Sequence, residues 1–299
     1  MQKGNYLKNR KNLKKIQWSK YMSLLNSIYR LIKATREKKI IPIITPIPND
    51  QLLENKVAFI SGGSGGIGMA IAEEFLKSGC KVILGGTNKN KLENCKKILK
   101  TYGNSNIETV IFNLETIDDI SICIRNISNI YGRIDIFVNC VGVHTENIDF
   151  WNISESEYDR VLKINLKGPY FTSIAMAKYM KDNNIKGNIL LVSSSRGYEP
   201  AWSPYGISKW AINGMIPGLA KQVIKYGIIV NGIAPGPTAT TLVGVEEGDD
   251  IYTNDTSINR YAMPEEIAAF ARLLVSDTGN IIPGEIIKVS CGRGIFDIR

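Results

Sequence analysis

The chain has a single histidine, His144, among 299 residues. A Ser–His–Asp hydrolase is disfavoured, and His144 is read as loop or pocket lining. Cysteine is equally sparse: Cys80, Cys95, Cys123, Cys140 and Cys291 are odd in number and scattered, with no C-x-x-C pair. Neither a zinc site nor a disulfide framework is suggested, and a reducing cytoplasm is the expected location. No segment approaches the ~20 apolar residues needed to span a bilayer. No apolar run of signal-peptide length follows the positive N-terminus. There is no internal repeat.

What is present is unevenly spread. Residues 1–40 hold nine Lys and three Arg against one acid, Glu37, a net +11, so of the total +9 the remainder carries −2. The basic character belongs to an arm. Within it Leu13, Ile16, Leu24, Leu25, Ile28, Leu31 and Ile32 recur at helical spacing between the cations, which predicts a basic amphipathic extension over 1–40. Residues 41–52 include Pro42, Pro46 and Pro48 and read as an extended linker. The body, 53–299, is 247 residues long, enough for one large domain.

In the body, short Val/Ile-rich runs alternate with helical patterns. Strands are expected at 56–61, 81–84, 107–112, 134–139, 188–193, 228–233 and 286–289. Helices are expected at 67–78, 89–101, 117–130, 155–165, 170–181, 204–225 and 264–276, with Pro217 kinking or dividing the long one. Continuous apolar strands are buried on both faces, and β/α alternation argues for an α/β fold with a doubly wound parallel sheet of about seven strands.

Ser61-Gly-Gly-Ser-Gly-Gly-Ile-Gly68 joins the first strand to the first helix. Gly62 allows a tight turn, while Gly66 and Gly68 let backbone approach a phosphate at the helix N-terminus. The second strand ends in Gly85-Gly86-Thr87-Asn88-Lys89, without the acid that usually holds a ribose 2′-hydroxyl. Thr87 and its neighbours tolerate a 2′-phosphate, which favours NADP(H) over NAD(H).

Tyr205 and Lys209 stand one helical turn apart on one face. A free phenol has a pKa of about 10, and a neighbouring ammonium is expected to lower it. Tyr205 then serves as general acid or base toward a carbonyl or alcohol oxygen. Ser194, at the end of the fifth strand, is the hydroxyl placed on that oxygen, with Ser193 and Ser195 one step away in register. Asn165 lies on an otherwise apolar face of a predicted helix, suggesting that its amide meets something buried, such as a water leading to Lys209.

These residues in this order resemble the short-chain dehydrogenase/reductase family in its single-domain form, over about 53–299. Ser61–Gly68 is similar to the family's T-G-x-x-x-G-I-G turn, and Asn139-Cys-Val-Gly142 to its N-N-A-G motif. Asn165, Ser194, Tyr205 and Lys209 fall on its catalytic tetrad. Residues 230–236 resemble the segment leading to its P-G motif, and 264–268 its late helix start. The resemblance implies a Rossmann-type fold and a ketone–alcohol oxidoreductase using NAD(P)(H) without a metal. It implies cofactor contacts from Ser61, Gly62, Ser64, Gly65, Gly66, Ile67, Gly68, Thr87, Asn113, Leu114, Asn139, Gly142, Tyr205, Lys209, Pro235, Gly236, Thr238 and Thr240. Asn113 stands where many members carry an aspartate. A homotetramer or homodimer is implied too.

The substrate pocket is expected to be shaped by Arg196, Tyr198, Glu199 and Trp202 and by the loop 241–259. The acids of that loop, Glu246, Glu247, Asp249 and Asp250, argue mildly against a strongly anionic substrate, although a solvated loop face accounts for them. The partner is a small-molecule carbonyl or alcohol. No nucleic acid is expected; the arm is read as a packing extension at a subunit contact or a solvated helix, with docking on anionic lipid or nucleic acid as the rival. The rival to an enzyme is a non-catalytic nucleotide-binding regulator on the same fold.

Overall fold

The computed structural model describes residues 22, 24–30, 51–100, 106–114, 120–146, 149–245 and 249–294. The chain divides into two units, Met1–Pro46 and Ile47–Arg299. In the first, residues 22 and 24–30 are helical. The rest of the amphipathic extension and residues 41–50 of the linker lie outside the described residues. No helix among the described residues is long and apolar enough to cross a membrane.

The second unit carries seven parallel strands: β1 (Val57–Ser61), β2 (Lys81–Gly86), β3 (Ile107–Ile111), β4 (Ile136–Asn139), β5 (Asn188–Val192), β6 (Ile229–Pro235) and β7 (Ile286–Val289). They run in the order β3-β2-β1-β4-β5-β6-β7. The helices are α1 (Gly66–Lys77), α2 (Lys89–Lys100), α3 (Ile120–Tyr131), α4 (Glu155–Leu162), α5 (Gly168–Asp182), α6 (Pro204–Val223) and α7 (Pro264–Val275). This is the doubly wound architecture expected from the alternating pattern.

Strand alternation explains why the strands are apolar throughout. Along β1, Ala58 and Ile60 join a core with α1, α2 and α7 on one face. Val57 and Phe59 join a second core with α3, α5 and α6 on the other. Phe59 anchors the second core between Phe112, edge-on at 5.1 Å, and Phe137, stacked at 5.7 Å. The strand order reverses at β1: successive strands build outward to β3, then the chain returns to place β4 on β1's other side. A crevice opens there beyond the carboxyl ends of β1 and β4.

Two local readings change. Residues 155–165 and 170–181 are not separate helices. A π-helical turn, Lys163–Lys167, joins α4 to α5 and carries Asn165. Pro217 neither ends nor divides α6, which continues to Val223. Ile212 and Ile216 before it and Ala220 after it are all buried in the second core, so packing holds both halves of the helix in place.

Asp135, 2% exposed, pins the sheet where β4 begins. Its Oδ2 accepts from Val57 N at 3.0 Å and its Oδ1 from Arg133 Nε at 3.0 Å. Its backbone bonds both neighbours, donating to Val57 O and accepting from Asn188 N. Asp135→Ala orphans a buried N–H and is expected to cost about 3 kcal/mol. Urea unfolding monitored by circular dichroism checks this; an unchanged midpoint contradicts the assignment.

Candidate active site

The glycine turn is built for close backbone approach. Gly62 has φ +77°, and a Cβ there would lie 2.9 Å from Cys140 C. Gly62 N and Gly63 N both donate to Gly85 O, tying the turn to β2. A Cβ at Gly68 would meet Gly62 O at 2.3 Å, and one at Gly66 would meet Thr240 Cγ2 at 2.6 Å. The N-terminus of α1 has no side-chain cap, so its first amides are unspent. Ser61 and Asn139 face each other in register at the ends of β1 and β4. Ser61 Oγ and Asn139 Oδ1 are both buried without a partner among the described residues. An uncapped helix end above the glycine turn, with the unpartnered Ser61 hydroxyl at its floor, fits a dinucleotide pyrophosphate.

Beyond β5 the sequence folds back as a 3-10 turn, Ser195–Tyr198, capped by Ser194, whose Oγ accepts from Arg196 N at 3.2 Å. Ser203 caps α6 by accepting from Gly206 N, and Pro204 starts the helix. Tyr205 and Lys209 therefore stand in its first two turns. Ser194 and Tyr205 both line the cavity, and Ser194 lies near enough to favour the Tyr205 phenolate. Ser193 is spent elsewhere, donating to Asn213 Oδ1 and Lys209 O. Among these serines the register thus turns Ser194 toward Tyr205.

Lys209, 4% exposed, donates from Nζ to Val192 O at 3.1 Å and lies 5.7 Å from the Tyr205 ring centroid. A Cβ on Gly142 would lie 3.5 Å from that Nζ and 3.8 Å from Asn165 Oδ1. The two tetrad side chains converge on that glycine. Asn165 itself is tied to the loop after β4: Val143 N donates to its Oδ1 at 2.8 Å, and its Nδ2 donates to Val143 O at 2.9 Å and Ser208 Oγ at 3.3 Å. Its side chain is thus a clamp between the π turn, that loop and α6.

The four residues converge beside a cavity of about 390 Å³, walled by Ser194, Tyr205 and Lys209 with Gly142, Pro235, Gly236, Thr238 and Thr240. Electrostatics there differ from expectation. Burial pushes the Tyr205 phenol up, opposed by Ser194 and by the Arg196 charge. Burial pulls Lys209 down to about 8. His144 stacks on Tyr205, centroids 4.4 Å apart. Burial and the charges of Lys209 and Arg196 depress its pKa, which keeps it neutral.

Other predicted residues fall into place unequally. Ile67 lines the cavity, and Thr87 is exposed after β2. Asn88 Oδ1 accepts from Lys91 N and so caps α2. Ser64 and Gly65 lie in the turn, and Asn113 is exposed after β3. Leu114 turns its side chain into the second core, against Gly168. Of the four expected pocket formers, Arg196 lines the wall, and Glu199 bridges Arg196 and Arg293 from behind it. Trp202 meets Phe150 edge-on at 5.5 Å, and Tyr198 lies under Lys288. Leu242, Val243 and Asp255 of the loop 241–259 line the cavity, whereas Glu246 and Glu247 lie outside the described residues. The reading missed Tyr261 and Arg293, which reach the wall from segments with no motif of their own.

The model of a family described as short chain dehydrogenase matches residues 56–250. The chain belongs to the short-chain dehydrogenase family. Among similar family members, a 3alpha-hydroxysteroid dehydrogenase of Mediterraneibacter gnavus is 30% identical over 244 residues, 80% of this chain and 96% of that protein. A 3-oxoacyl-[acyl-carrier-protein] reductase of Thermotoga maritima is 30% identical over 80% of this chain and 98% of its own length. A solved short chain dehydrogenase of Bacillus anthracis superposes with TM-score 0.73 at 30% identity, covering 82% of this chain and 99% of that one. As a short-chain dehydrogenase the chain is an NAD(P)-dependent oxidoreductase acting on CH–OH groups.

The depressed Lys209 pKa makes a sign-definite prediction. A lysine whose folded pKa lies below its unfolded value costs stability while charged. That cost is present below about pH 8 and is relieved as pH rises toward 10.5. Without added cofactor, wild type is expected to gain ~2 kcal/mol relative to Lys209→Met between about pH 7 and pH 9.5. Paired denaturant titrations at the two pH values measure it; a constant difference counts against a buried charge.

Proposed function

We propose that this short-chain dehydrogenase interconverts a ketone and a secondary alcohol, with Tyr205 as general acid and base. The carrying observation is Ser194 and Tyr205 together at the wall of a cavity backed by the buried Lys209 ammonium. When bound, the dinucleotide supplies or accepts the hydride. Ser61–Gly68 and the uncapped start of α1 hold its pyrophosphate, with Thr240 packed over Gly66. Asn139, Gly142, Pro235, Gly236 and Thr238 border the crevice beyond the strand ends.

In reduction the Tyr205 hydroxyl gives its proton to the carbonyl oxygen, and Ser194 Oγ donates a hydrogen bond that orients that oxygen. A phenol raised by burial stays protonated and ready to donate. In oxidation Tyr205 takes the alcohol proton, and the nearby positive charge of Arg196 favours its anionic form. Lys209 replaces the proton. Asn165 positions the loop bearing Gly142 and Val143, and so the space around Lys209 Nζ.

NADP(H) is the preferred cofactor because β2 ends without a carboxylate and leaves Thr87 and Lys89 exposed. The chain works as a homotetramer or homodimer. Exposed Tyr158 on α4 and Tyr170, Phe171 and Ile174 on α5 supply apolar surface for such a contact.

Tyr205→Phe is expected to lower kcat for NADPH-dependent ketone reduction by about 10²–10⁴-fold while NADPH binding persists. Steady-state rates with fluorescence titration of NADPH read both; equal rates exclude the acid role. Thr87→Asp places a carboxylate beside the 2′-phosphate and is expected to shift kcat/KM toward NADH by about tenfold or more. A cofactor exchange assay across the two variants checks it.

A further inference from the structure

Resting on the ketone reading above, we propose that the substrate carries a carboxylate and that Arg196 receives it at the cavity wall. The wall holds three cationic side chains, Lys209, Arg196 and Arg293, against one carboxylate, Asp255. Glu199 stands behind the wall and is shared. Its Oε2 takes Arg196 Nη1 at 2.6 Å and its Oε1 takes Arg293 Nε at 2.9 Å. Asp255 Oδ2, 3.5 Å from Arg293 Nη1, also serves Arg293. Two guanidiniums thus meet two carboxylates, and the net positive charge of the wall is that of Lys209. Among the described residues, Arg196 Nη1 to Glu199 is the one bond its guanidinium makes. A guanidinium offers five N–H donors in a planar fork, so an edge remains for a second, planar acceptor.

Position supports the same assignment. The Arg196 backbone is fixed beside Ser194, whose Oγ accepts its N–H. A ligand oriented by Ser194 has the guanidinium two residues away on the same turn. Of the loop acids that argue mildly against a strongly anionic substrate, Asp249 and Asp250 do not oppose this. Asp250 is exposed and accepts from Tyr252 N, and neither it nor Asp249 lines the cavity. The competing role for Arg196 is a purely structural strap through Glu199 to Arg293. A strap affects stability and has no reason to distinguish a free acid from its ester.

The test is reduction of matched 2-, 3- and 4-oxo acids and their methyl esters by the full chain with NADPH. The readout is the acid-to-ester ratio of kcat/KM. Wild type is expected to favour the acid of at least one pair by about tenfold or more, the range of a charge-assisted hydrogen bond. Arg196→Gln is expected to collapse that ratio toward unity, chiefly through the KM of the acid, and Arg196→Lys to restore part of it. Ester turnover without acid preference, or a ratio unmoved by Arg196→Gln, overturns the inference and leaves the ketone reading standing. No turnover of any pair overturns both.

Discussion

The arrangement rests on one buried cation. Lys209 is sealed at the end of β5 with a single described hydrogen bond, to Val192 O, for three donors. An ammonium in that position is expensive, and its lowered pKa is the measure of the expense. The surroundings make room for it. Gly142 presents no side chain where Nζ sits. Asn165 is fully engaged with Val143 and Ser208 and stays out of the ammonium's place. The π turn sets that asparagine at the junction of loop and helix, a common use of such turns at functional sites. A structure kept for stability alone would have an apolar side chain at 209.

The sheet supplies the second constraint. Because the strand order reverses at β1, the ends of β1 and β4 cannot both be covered by one connection, and the glycine turn spans the gap. Three steric facts leave no freedom there: the left-handed Gly62 against Cys140, Gly68 against Gly62 O, and Gly66 against Thr240. The last of these matters most for function. It brings the loop after β6 onto the first turn of α1, so the cradle has a wall contributed from more than 170 residues away in sequence.

The fold was legible because both faces of the inner strands are covered, which makes them buried runs; every expected strand exists within two residues of its expected bounds. Local pattern failed where packing overrode it. Pro217 sits in an unbroken helix because its neighbours on both sides are core residues. The π turn has no signature beyond an asparagine on an apolar face. The site was legible as residue types in order, but the sign of the Tyr205 shift was not. Spacing places a cation near a phenol and says nothing about how dry both are. Arg293 and Tyr261 were invisible for a different reason: they join the cavity only through tertiary contacts.

That dryness alters how the pair must work. In water a lysine ammonium and a tyrosine phenol are nearly matched acids, about 10.4 and about 10. Burial acts on them in opposite senses, since it disfavours whichever form is charged. The phenol rises and the ammonium falls to about 8, so the ammonium becomes the stronger acid of the two. A proton that leaves Tyr205 for a carbonyl oxygen leaves a phenolate near the Lys209 ammonium. The reverse direction, which needs the phenolate, depends on charges that reach Tyr205 from the cavity side. Arg196 is the one whose charge does so. A carboxylate seated on Arg196 would offset part of that charge and so disfavour the phenolate.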